Sequence, residues 1–111
     1  MSQHVNVSLK PADALALIID GMEGTELLHQ ELNDTGEGRS IGMIVLQRFF
    51  LRSGSQGALV IAADNLKDLN VTDVRLIPAG TSGNMFFRFD YGAGQSFAGA
   101  VLKLLEPHII S

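Results

Sequence analysis

The run SIGMIVLQRFFLR at residues 40–52 constrains this chain more than any other stretch. Its alternate positions form two sets. Ile41, Met43, Val45, Gln47, Phe49 and Leu51 make one face; Ile44, Leu46, Arg48, Phe50 and Arg52 make the other. The first is almost wholly apolar and the second is apolar at three of its five positions. A strand apolar on both sides belongs inside a sheet with something on each face. GALVIAAD at 57–64 repeats the pattern after the loop SGSQG, so the two runs read as a hairpin.

The remaining elements follow from period and punctuation. Val5, Val7 and Leu9 alternate with polar residues, as in a half-buried strand. Pro11, favoured at the first helical position, opens a helix over about 11–22, with Leu15, Ile18, Ile19 and Met22 at helical spacing and Asp13 in its first turn. Gly21 and Gly24 end it. ELLHQEL at 26–32 reads as a strand, NDTGEG at 33–38 as a loop, and NLKDLN at 65–70 as a polar connection. VTDVRLIPA at 71–79 and NMFFRFD at 84–90 read as strands joined by the turn GTSG. Phe97, Val101, Leu104 and Leu105 keep helical spacing over 95–106, and Pro107 stops that helix.

The expected order is β-α-β-β-β-β-β-α. Consecutive strands with short turns imply an α+β fold: an antiparallel sheet of five to six strands with two helices on one face. At 111 residues, one domain over 1–111 is expected. Two helices cover only one sheet face, yet two strands are apolar on both. A partner subunit, a cavity or a loop must shield the second face.

Several function classes are excluded or disfavoured. Net charge is -4, and the eight Lys and Arg residues stand singly, so no cationic surface for nucleic acid is expected. There is no cysteine, which removes disulfides, thiolate metal sites and thiol catalysis. The N-terminus lacks a basic region followed by an apolar core, and no apolar run approaches the roughly 20 residues of a membrane span. A soluble cytoplasmic protein is the expectation.

Candidate motifs weigh towards structure. YGAGQS at 91–96 precedes a helix, but Phe97 stands at the third glycine position of a dinucleotide fingerprint and no G-K-[ST] follows; Gly92 and Gly94 are expected to turn the chain and Ser96 or a neighbour to cap the helix. GSQG at 54–57 joins two strands, unlike a nucleic-acid GXXG loop between helices. DNLKDLNVTD at 64–73 fails the calcium-loop pattern, with Asp73 where glycine is required. His29 and Glu31 share a strand face, but no further ligand spacing accompanies them. No residue is assigned a catalytic role, and no metal or cofactor is implied.

AGTSGNMFFRFDYGAGQSF, from Ala79 to Phe97, resembles a segment of a small bacterial family. In that family a Ser-Gly turn leads into a Met-Phe-Phe-basic strand and, through a glycine, into the last helix. The early helix ending near DGMEG and the strand ELLHQEL are similar too. The resemblance covers nearly the whole chain and implies a single α+β domain with no catalytic residues to transfer. A broader likeness, in element order alone, is to helix-grip proteins that hold apolar ligands.

Two readings lead, with an enzyme whose site is assembled from separated polar residues as a third behind them. In the first, the chain forms a homodimer through an uncovered sheet face, with Ile44, Leu46, Phe50, Leu59 and Ile61 as the interface. In the second, an apolar small molecule lies between the sheet and the 95–106 helix, lined by Phe49, Phe87, Phe97 and Val101. Arg48 and Arg52 would then hold an acidic head group at the mouth.

Overall fold

The computed structural model describes residues 3–50, 55–80 and 97–111. Strand β1 (Gln3–Val7) runs into helix α1 (Pro11–Gly21). Four strands follow: β2 (Glu26–Gly36), β3 (Arg39–Phe50), β4 (Ser55–Asp68) and β5 (Val71–Gly80). Helix α2 occupies 97–105, ahead of a 3-10 turn at Glu106–His108. The strands form one antiparallel sheet in the order β1-β5-β4-β3-β2. The α+β architecture expected from the sequence is therefore present, with five strands among the described residues. The expected strand at 84–90, the rest of the GTSG turn and YGAGQS lie outside them.

Two segments read as connections are strand. NDTGEG does not loop out: β2 continues to Gly36, which pairs with Arg39 across a two-residue turn. Glu37 (φ 58°) and Gly38 (φ 80°) both take positive φ, the sign pattern of a type I′ hairpin turn. Composition identifies such a segment as polar, but those dihedrals decide that it reverses tightly. Likewise NLKD extends β4 to Asp68, through a register shift between Asp64 and Asp68. Asn65 makes this possible. Buried at 2% exposure, its Oδ1 accepts from Ser40 N at 2.8 Å. Its Nδ2 donates to Gly38 O at 3.2 Å and Leu69 O at 3.3 Å. One amide thus ties the β2–β3 turn to the β4–β5 turn.

Both helices cover the same sheet face. Ala14, Leu15 and Ile18 of α1 and Phe97, Ala98, Val101 and Leu105 of α2 join one core with Ile44, Leu46, Leu59, Ile61, Val74 and Leu76. The helices touch at Gly21, where a Cβ would lie 2.7 Å from Leu104 Cδ2. Gly42 is the tightest point beneath α1. A Cβ there would meet Leu15 Cδ1 and Leu32 Cδ1 at 2.8 Å and the Glu31 carbonyl oxygen at 2.9 Å.

The two sheet edges differ. Along β1, the C-terminal tail adds a further stretch of pairing. Asn6 N donates to Ser111 O at 2.9 Å, Ile110 N to Asn6 O at 2.7 Å, and Val7 bridges Ile109. At the opposite edge, β2 pairs with β3, and all eleven of its residues are exposed.

Candidate functional surfaces

Register fixes which side chains share the face away from the helices. Cross-strand partners lie on the same side of a sheet. Ile41, Met43, Val45 and Gln47 pair with Asp64, Ala62, Val60 and Ala58; on β5, Val60 meets Ile77 and Ala62 meets Arg75. Phe49 is 52% exposed, Ile77 42% and Ile41 39%. The result is a largely apolar strip across β3, β4 and β5, interrupted by Gln47 and Arg75 and ending at Asp64. From Ile41 to Phe49 it runs about 26 Å, and three strands give it a width of about 14 Å, or roughly 350–400 Å² of footprint. That reaches the size at which a patch on a monomer calls for explanation.

Polar groups rim the strip. On the β2 side His29 Nε2 lies 2.7 Å from Glu31 Oε1, so the two side chains already satisfy each other. On the β5 side Asp64 faces Asp73 directly, an opposition that alone would be unfavourable. Cations offset it. Arg75 Nη1 is 3.8 Å from Asp64 Oδ2, Lys67 Nζ 3.5 Å from Asp73 Oδ2, and His4 Nε2 3.5 Å from Asp73 Oδ1. The Lys67 contact is an ion pair without hydrogen-bond geometry. Asp64 Oδ1 also accepts from Leu66 N at 3.2 Å, a local contact at the register shift in β4. Among the described residues, no group of three or more His, Asp or Glu is arranged to hold a metal ion.

The residues expected at an interface fall on the other side. Ile44, Leu46, Leu59 and Ile61 are at most 2% exposed, beneath α1 and α2. Both alternating sets are apolar, so sequence alone does not say which one the helices cover. The open face carries the complementary set. The side chain of Phe50 lies outside the described residues.

The expected ligand-lining set does not come together either. Phe97 and Val101 are buried in the helix-covered core, whereas Phe49 lies on the open face. Arg48 is on the helix side, its guanidinium 5.0 Å from the centre of the Phe97 ring and Nη2 donating to Glu23 O at 3.2 Å. It is thus engaged with the core and with the α1–β2 connection. Phe87 and Arg52 lie outside the described residues. A groove of about 390 Å³ is found instead between α1 and β2, lined by Ala12, Leu15, Ala16 and Ile19 on one side and Gln30, Glu31, Leu32 and Ile44 on the other. The small Ala12 and Ala16 leave it open, a signal visible in the sequence only once β2 is known to lie beside α1.

No family model matches the chain, and no curated protein does. Among solved structures, it is similar to the di-domain ARO/CYC StfQ from the steffimycin biosynthetic pathway, at 11% identity and a TM-score of 0.45. The match covers 97% of this chain and 44% of that one, so the chain spans less than half its length. No helix among the described residues is long and apolar enough to cross a membrane.

Proposed function

We propose that the chain is a non-enzymatic self-association module whose open sheet face seats the same face of a second copy. The observation that carries this is the apolar strip of Ile41, Met43, Val45, Phe49, Val60 and Ile77, bounded by charged groups on both sides. With its rims the face spans five strands, about 24 Å by 26 Å, or roughly 600 Å² per copy. Two such faces bury about 1,200 Å², the lower bound for a specific interface. A two-fold axis parallel to the strands and over β4 also sets β2 of one copy over β1 of the other. Glu31 then lies over His4 with Arg75 beside it, which sets an acid against basic side chains at the edge of an apolar centre.

The test is solution mass by light scattering for the unaltered chain and for Val60→Lys. Val60 is half-buried in the middle of the open face, so Val60→Lys should keep the circular dichroism spectrum and halve the mass. A mass unchanged by Val60→Lys, or a monomeric parent, refutes the interface. Leu46→Lys is the contrast: at 2% exposure on the covered face it should unfold the chain rather than release a folded monomer.

The groove between α1 and β2 supports a second reading, binding of an apolar small molecule. Its volume falls within the range of about 300–1,000 Å³ typical of ligand pockets. Leu15, Ile19, Leu32 and Ile44 supply apolar walls and Gln30 a polar handle. Medium-chain alcohols or amides should raise the melting temperature, and Ala16→Phe should abolish the rise. A flat response across both series removes this reading.

A further inference from the structure

The two sheet edges are treated differently by the chain, and the difference is chemical. The β1 edge carries the C-terminal tail, which takes up the backbone groups of Asn6 and Ser8. The β2 edge carries eleven exposed residues and, among the described residues, no strand or tail. Natural edge strands are guarded by proline, by lysine and other charges, by bulges or by brevity, and of these β2 has acidic residues and a bulge near each end, which leave His29–Asp34 in regular register between them. ELLHQELNDTG has no proline and no lysine or arginine, and it is long. Bulges interrupt it only at Leu27/His29 and Asp34/Gly36. We infer that β2 pairs antiparallel with β2 of a second copy, centred on Gln30, to join the two sheets into one.

Symmetry narrows the register. A two-fold axis normal to the sheet keeps the helices of both copies on one side, and it requires a central residue to face its own counterpart. Odd offsets would oppose side chains that point to different faces. Centring on Glu31 brings two carboxylates together, and centring on His29 sets Leu27 against Glu31. Centring on Gln30 sets Leu28 against Leu32 and His29 against Glu31, each twice by symmetry. Leu28 and Leu32 are both 48% exposed in the single chain, so they have apolar surface to cover. His29 and Glu31 already bond at 2.7 Å within the strand, and the same two types would alternate across the seam. Leu28 is itself the extra residue of the bulge between Leu27 and His29, and the bend there relieves the approach of Glu26 to Asp34.

Edge pairing extends the proposed face interface without depending on it. The joined sheet carries two largely apolar strips on one surface, flanking a seam of His29 and Glu31. Together they offer roughly 750 Å², close to the ~800 Å² per partner of a standard interface.

The chain has no cysteine, which allows a direct test. Facing Cα atoms in an antiparallel pair lie about 4.5–5.5 Å apart, within the roughly 4.4–6.8 Å that a disulfide spans. Gln30→Cys should therefore convert, under mild oxidation, mostly to a disulfide-linked dimer. Leu69→Cys, exposed at the far β4–β5 turn, should stay mostly reduced. Equal crosslinking of the two, or none at Gln30→Cys, overturns the pairing. His29→Glu should halve the solution mass, and His29→Glu with Glu31→His should restore it. An unchanged mass in the single variant, or no recovery in the double, also overturns it. Val60→Lys run alongside separates the two surfaces. If the open face fails, the Gln30→Cys crosslink remains; if the edge fails, the Val60→Lys mass change remains.

Discussion

Replacing Gly42 by alanine should destabilise the chain, although the usual expectation for a strand glycine is the reverse. A glycine in the middle of a strand costs about 0.5–1 kcal/mol relative to alanine, so the backbone alone would favour the change. The surroundings oppose it. The new methyl would stand 2.8 Å from Leu15 Cδ1, 2.8 Å from Leu32 Cδ1 and 2.9 Å from the Glu31 carbonyl oxygen. The two leucines can rotate away. The carbonyl cannot, because β2 is held against β3 by the register in which Glu31 faces Met43 and Leu32 faces Gly42. Overpacking of this kind costs about 1–3 kcal/mol, and more than offsets the backbone gain. The net loss is about 1–2 kcal/mol, which for a chain of this length lowers the melting temperature by roughly 4–10 °C. Gly99 in α2 is the control of opposite sign. A Cβ there meets nothing within 4 Å, so Gly99→Ala should stabilise by about 0.4–1 kcal/mol. Thermal melts by circular dichroism on both variants decide the matter. A Gly42→Ala protein that melts at or above the parent refutes the tight approach of α1 and β2 over β3.

Asn65→Ala should cost about 2–3 kcal/mol, since it removes three hydrogen bonds at a buried site and leaves Ser40 N without its acceptor. Urea melts should show this as a lower midpoint with an unchanged slope. Deleting residues 109–111 removes the Ser111 and Ile110 bonds to Asn6 and bares the β1 edge. It should lower stability by about 1–2 kcal/mol and introduce concentration-dependent aggregation, read by light scattering. An equally stable, non-aggregating truncation would show that the tail does not guard that edge.

Much of the fold is legible in the residues themselves. Short apolar runs bounded by turn residues mark β3 and β4, alternation of Val5 and Val7 marks β1, and Pro11 with Leu15 and Ile18 marks α1. The single amide of Asn65, the tail on β1 and the groove beside Ala12 and Ala16 are not legible, since each joins positions distant in sequence. The polar composition of NDTGEG gives no hint of positive φ at Glu37, and a loop and a tight hairpin share that composition.

The sequence by itself determines that β3 and β4 each have two apolar faces, and therefore that two helices leave one of those faces uncovered. Only the tertiary structure decides which face that is. Alternation defines two sets of side chains relative to each other, not relative to the helices, and both sets here are apolar enough to form a core. The seating of α1 and α2 on Ile44, Leu46, Leu59 and Ile61 breaks the tie, and leaves Ile41, Val45, Val60 and Ile77 facing outward.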